Sequence, residues 1–136
     1  MPASTIKPPD TIRKRGKIML VDDSPVIAES VAIMLEEYGY DVVALDRIFA
    51  FAETVRREQP DLVLIDVMMP AITGDKLVEI AQRHQTIRCP LVLFSNKKPE
   101  HLARLAEACG AAGYIQKTDD AKTLARAVAD YINKKH

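Results

Sequence analysis

The 136-residue sequence predicts a doubly wound α/β domain, with five parallel strands in the flavodoxin-like order 2-1-3-4-5 and five helices. Three observations lead there. Five short runs are apolar on consecutive positions, as expected of strands covered on both faces. The segments between them carry apolar residues at spacings of three and four, one buried face per helix. The two patterns alternate along the chain, which favours a parallel sheet. Five strands also fit this order better than the six-stranded dinucleotide-binding one.

Residues 1–16 are polar, contain Pro2, Pro8 and Pro9 and lack apolar periodicity, so they read as a flexible basic tail ahead of a domain over 17–136. The first strand is Ile18-Met19-Leu20-Val21. Ser24-Pro25 then starts a helix, with serine as N-cap and proline at the first helical position. Its buried stripe is Ile27, Val31, Met34, Leu35 and Tyr38, and Gly39 supplies a left-handed end. Strand two is Val42–Leu45, followed by a stripe at Ile48, Phe51, Ala52 and Val55. Strand three is Leu62–Ile65, followed by Leu77, Ile80 and Ala81. Strand four is Leu91–Phe94, followed by Leu102, Leu105, Ala106 and Cys109, closed by Gly110. A weaker fifth strand at Tyr114-Ile115 precedes a last helix with Leu124, Val128 and Ile132. The sequence stops just beyond that helix, so no output domain is expected.

Lys+Arg and Asp+Glu both number 19, so overall charge points to neither nucleic acid nor membrane as a partner. Residues 1–17 carry a net charge of +4, leaving −4 for the rest. The run Arg13-Lys14-Arg15 reads as a solvated arm. No apolar run approaches the roughly eighteen residues needed to span a bilayer. Cys89 and Cys109 form no CxxC pair and there is no secretory h-region, which predicts a reduced, cytoplasmic setting with both thiols in the core. His84, His101 and His136 lack metal-ligand spacing and read as surface residues.

In such sheets ligands bind beyond the carboxyl ends of the strands, where strand order reverses. Strand one runs out into Asp22-Asp23 and strand three into Asp66, so three carboxylates converge on that crevice. Two unit charges about 4 Å apart repel by roughly 4 kcal/mol at an effective dielectric of 20. Three such pairs cost on the order of 10 kcal/mol, comparable to a whole domain's stability. Protons or a divalent cation must relieve this. An all-oxygen donor set with few ligands suits Mg²⁺ and disfavours zinc. Strand four ends in the hydroxyl of Ser95, and the ammonium of Lys117 follows strand five. A dication, an ammonium and a hydroxyl around one carboxylate suit a transferring phosphoryl group, with Asp66 as nucleophile and an aspartyl phosphate as product.

Singly, each residue has a plainer reading. Asp22-Asp23 is a helix-start cluster, Asp66 a turn residue, Ser95 a turn hydroxyl and Lys117 a surface charge. Their joint placement at four strand ends on one sheet edge is what chance does not supply. A dehalogenase-type hydrolase needs a second aspartate two positions after the first, where Met68 stands. A nucleotide or flavin carrier needs a phosphate-cradling loop after strand one, and neither GxGxxG nor GxxxxGK occurs. No GxSxG elbow supports a serine hydrolase.

From about Lys17 to Lys134 the chain resembles the receiver domain of two-component response regulators, including the stand-alone chemotaxis type. The resemblance is carried by Val21-Asp22-Asp23-Ser24, Asp66-Val67-Met68-Met69-Pro70 with Gly74 beyond it, Phe94-Ser95 and Tyr114-Ile115-Gln116-Lys117. It implies a Mg²⁺-dependent phosphoprotein of signal transduction that is phosphorylated on Asp66 and catalyses only its own phosphorylation and slow dephosphorylation. A phosphohistidine on a histidine kinase or phosphotransfer protein would supply the phosphoryl group. It further implies Asp23, Asp66 and the Met68 backbone carbonyl as direct metal ligands, with Asp22 acting mostly through water. Ser95 and Lys117 would hold the phosphoryl group. Tyr114 would be the aromatic switch coupled to Ser95, acting on an unknown downstream protein through the fourth helix, fifth strand and fifth helix. Two positions depart from the family pattern. Thr118 replaces a proline usually in a cis bond, predicting a trans or strained loop at Lys117. Asn96 replaces a very small residue, and its bulk is expected to limit water access to the phosphoryl group. The competing reading is a receiver-fold interaction module that works without phosphorylation.

Overall fold

The computed structural model describes residues 15–45, 47–84 and 87–134. The N-terminal tail therefore lies almost wholly outside the described residues. In chain order the elements are β1 (Gly16–Val21), α1 (Pro25–Glu37), β2 (Tyr40–Leu45), a 3-10 turn (Ile48–Ala50), α2 (Phe51–Glu58), β3 (Leu62–Asp66), α3 (Gly74–His84), β4 (Leu91–Ser95), α4 (Pro99–Cys109), β5 (Gly113–Gln116) and α5 (Ala121–Asn133). The five strands form one parallel sheet in the order β2-β1-β3-β4-β5, as the apolar runs predict.

Alternation along each strand splits the core in two. Ile18, Leu20, Leu62 and Leu64 face α1 and α5, where they meet Val31, Leu35, Leu124 and Val128. Met19, Val21, Val63 and Ile65 face the other way, onto Phe51, Leu77, Val78 and Leu102. The central strands β3 and β4 are buried along their whole length. Edge strand β2 is only partly covered, and Ala44 on it is exposed. Consecutive apolar residues thus mark double coverage in the middle of the sheet and overstate it at the edge.

Helix ends follow local chemistry. The Ser24 side chain accepts a hydrogen bond from the Ile27 N–H at 3.3 Å with Pro25 at the first position, and Asp120 caps α5 by accepting from the Thr123 N–H at 3.3 Å. Gly110 ends α4 in the left-handed region, at φ 87°. Two stripe positions differ from expectation. Ala52 is exposed and Thr54 is buried in its place, because the 3-10 turn advances the chain at about three residues per turn and shifts the phase of α2. Ile80 is exposed at the margin of a narrower stripe made by Leu77, Val78 and Ala81.

Candidate functional site

Strand register places the site. Val21 is level with Ile65 across the β1–β3 pair, so the next residues, Asp22 and Asp66, emerge side by side. Asp66 is level with Phe94, one residue short of Ser95. Ser95 is level with Gln116, one short of Lys117. Four adjacent strands therefore deliver Asp22, Asp66, Ser95 and Lys117 to one edge, and Asp23 follows directly from Asp22.

One oxygen from each of Asp22, Asp23 and Asp66 lies within 4.8 Å of the others. Asp22 and Asp66 are 4% and 5% exposed, whereas Asp23 is open to solvent. The Lys117 ammonium bridges the buried pair, 3.1 Å from Asp22 Oδ2 and 3.3 Å from Asp66 Oδ1. Among the described residues no peptide bond is cis, and Lys117 reaches both carboxylates with Thr118 behind it. Its ammonium also stands 5.5 Å from the centre of the Phe94 ring. Main-chain donors fix both carboxylates: the Ser24 N–H donates to Asp22 Oδ1 at 3.0 Å and the Met68 N–H to Asp66 Oδ1 at 3.3 Å. Both contacts to Asp66 fall on Oδ1, and among the described residues no hydrogen bond is made to Oδ2.

Burial pushes the Asp66 carboxyl above its ordinary range; the Lys117 ammonium opposes that, and the neighbouring Asp22 charge adds to it. The single ammonium therefore leaves negative charge uncompensated. The cleft over these groups encloses about 520 Å³ and is lined also by Met68, Asn96 and Lys97. Ser95 is buried, and its hydroxyl oxygen accepts a hydrogen bond from the Lys97 N–H at 3.1 Å. Asn96 is exposed at the rim. Tyr114 sits apart on β5, half-buried, its side chain against the α2–α4 half of the core. Cys109 is buried and Cys89 half-buried, and burial pushes the Cys89 thiol up to about 11 and raises Cys109 as well, which makes both poor nucleophiles.

Sequence reasoning missed the need for Gly74. A Cβ there would lie 2.3 Å from the Asp66 carbonyl oxygen, so the start of α3 packs directly on the peptide of Asp66. Its place shortly after Asp66 was visible, but the backbone approach was not.

The donor set fits Mg²⁺. It offers carboxylate oxygens, two of them buried, beside an open cleft with room for waters. Magnesium at a hundred times its dissociation constant is expected to stabilise the protein by about 2.7 kcal/mol. Asp23→Ala should remove most of that gain while leaving the buried Asp22–Lys117–Asp66 group intact. Thermal melts with and without Mg²⁺ check this; an equal shift in both proteins would contradict it.

Comparison with known proteins agrees with this geometry. Residues 18–129 match the family model of the response regulator receiver domain. Protein PilH of Pseudomonas aeruginosa is 28% identical over 83% of this chain and 94% of its own length. The BeF3-activated N-terminal receiver domain of Klebsiella pneumoniae RstA superposes with TM-score 0.76 at 30% identity, covering 87% of this chain and 99% of that one. The Vibrio cholerae chemotaxis protein CheY4 shares the fold, with TM-score 0.75 at 23% identity over 85% of this chain and 97% of its own. Several other curated relatives are longer, and the chain spans about half their length or less.

Proposed function

The chain belongs to the response regulator receiver domain family, and on that premise we propose that it is a phosphoacceptor of two-component signalling, modified on Asp66 with Mg²⁺. The observation that carries this reading is the Asp66 carboxylate, buried beside Asp22 and Lys117 at a cleft, with no hydrogen bond to Oδ2 among the described residues.

Asp23, Asp66 and the Met68 backbone carbonyl would hold the metal, with Asp22 acting through water. When bound, Mg²⁺ neutralises charge on the carboxylates and on the phosphoryl oxygens. Asp66 Oδ2 attacks phosphorus as the bond to the donor imidazole nitrogen breaks, and the freed imidazole takes up a proton. Lys117 then pairs with a phosphoryl oxygen, and the Ser95 hydroxyl donates to another. Tyr114 turns as Ser95 shifts and alters the face made by α4, β5 and α5 for a downstream protein.

A histidine kinase or histidine phosphotransfer protein is the donor this site suits. Asp66 is nearly closed to solvent, so the donor protein must cover the cleft mouth. Large apolar side chains are exposed there. Met68, 62% exposed, lines the cleft; Phe49, 101% exposed, lines an adjoining cleft that shares Asp22 and Asp23; Val26, 75% exposed, stands in the first turn of α1.

Incubation with Mg²⁺ and a small phosphodonor tests the proposal. Intact mass should show one added phosphoryl group on the wild type and none on Asp66→Asn. An unmodified wild type would leave the interaction module that needs no phosphorylation. Asn96→Ala should open the rim to water and shorten the lifetime of the modified state roughly threefold, equivalent to about 0.65 kcal/mol of barrier. An unchanged or slower loss of phosphate would remove that role for Asn96.

A further inference from the structure

We infer that Gln116 is a positioning residue for phosphoryl uptake: through the main chain of Lys97 it orients the Ser95 hydroxyl towards the cleft. The inference rests on the phosphoacceptor reading and adds a residue to it. β4 ends at Ser95 and α4 begins at Pro99, so Asn96, Lys97 and Lys98 form the connection between them. Both main-chain groups of Lys97 are held. Its N–H donates to Ser95 Oγ at 3.1 Å, and its carbonyl oxygen accepts from the Gln116 side-chain amide at 3.0 Å. Apart from Ser95, Gln116 supplies the only side chain among the described residues that hydrogen-bonds to the main chain of this loop.

Register puts Gln116 where it can do this. It is level with Ser95 across the β4–β5 pair, and the next residue, Lys117, donates its N–H to the Ser95 carbonyl oxygen at 2.8 Å. The strand ladder thus fixes the end of β4, and the Gln116 amide ties the loop beyond it to β5. Gln116 is exposed and is not among the residues that line the cleft. It therefore acts through Lys97 and not on the phosphoryl group itself.

The consequence falls on one proton. A hydroxyl has one hydrogen to give and two lone pairs to receive with. Ser95 is 2% exposed and lines the cleft beside Asp66 and Lys117. Among the described residues its oxygen accepts from Lys97, and its hydrogen is donated to no protein atom. With the Lys97 N–H on one lone pair, that hydrogen is turned away from the loop and is free to meet a phosphoryl oxygen in the cleft. A donor aimed in advance costs no reorganisation as charge develops. Without Gln116 the Lys97 peptide can rotate, its N–H leaves Ser95 Oγ, and the hydroxyl loses its fixed direction.

Gln116→Met, made in the full chain, keeps the length of the side chain and removes the donor. The Lys97 amide should then exchange roughly fivefold faster than in wild type. With Mg²⁺ and acetyl phosphate the variant should be phosphorylated roughly threefold more slowly, at unchanged Mg²⁺ affinity. In a Ser95→Ala background the same substitution should slow phosphorylation no further, because the group it orients is gone. Equal slowing in both backgrounds, a matching loss of Mg²⁺ affinity, or uptake as fast as wild type would overturn the inference. An unchanged Lys97 exchange rate overturns it whatever the phosphorylation result. A wild type that takes up no phosphoryl group brings down the phosphoacceptor reading, and the Lys97 exchange rate then decides whether Gln116 holds the loop.

Discussion

Lys117→Met is expected to cost the metal-free protein about 3 kcal/mol at neutral pH, because it strands two buried carboxylates without their shared cation. Lys117 opposes the burial-driven rise of the Asp66 pKa more than the Met68 N–H does, and it contacts both Asp22 and Asp66. The pH dependence has a definite sign. A carboxyl raised above the ordinary 3.8 contributes most favourably below that value, when it is protonated in folded and unfolded chains alike. That contribution is lost as pH rises through the higher folded value. Without Lys117 the Asp66 carboxyl moves further up, so the deficit against wild type should be largest at neutral pH and should close on acidification towards 3.8. Urea unfolding of both proteins across that window measures it. A deficit that stays constant with pH would mean that the loss comes from packing of the lysine stem and not from stranded charge. The same variant should be phosphorylated at least about a hundredfold more slowly, the usual scale for losing one preorganised charge partner of a transferring group.

Gly74→Ala is the second large effect, expected to cost about 3 kcal/mol. The added Cβ would sit 2.3 Å from the carbonyl oxygen and 2.9 Å from the carbonyl carbon of Asp66. Both are main-chain atoms, so neither can swing aside as a side chain would. Relief requires moving the start of α3 away from the end of β3, which drags Asp66 out of register with Asp22. Phosphorylation yield should therefore fall with stability. Stability within about 0.5 kcal/mol of wild type would show that α3 can shift without cost.

The sheet was legible because its central strands are apolar at every position and its helices keep their spacing. Asp22, Asp66, Ser95 and Lys117 were legible for a related reason. Each sits at or just after the end of an apolar run, and parallel register brings those ends together. What escaped depends on distances between main chain and side chain that no spacing encodes. Gly74 lies in a loop-like stretch, where a glycine suggests a turn and not a close approach to Asp66. Tyr131 lies outside the stripe of Leu124, Val128 and Ile132 on α5, and its hydroxyl reaches round Gly113 to the Tyr114 main chain, a contact that no spacing encodes. The exchange of Ala52 for Thr54 escaped because a 3-10 turn breaks the helical phase. The reach of Lys117 with Thr118 behind it also had to be seen, since a side chain's span over a loop is set by the loop's path.

Borohydride reduction of the protein after exposure to Mg²⁺ and a small phosphodonor, followed by peptide mass mapping, interrogates the acidic cleft most directly, since an acyl phosphate on aspartate is reduced to homoserine. Homoserine at position 66, formed with Mg²⁺ and nearly absent when the metal is chelated, is the result that follows from carboxylates crowded enough to recruit a dication. Homoserine at another position, equal yield without metal, or none at all would contradict it.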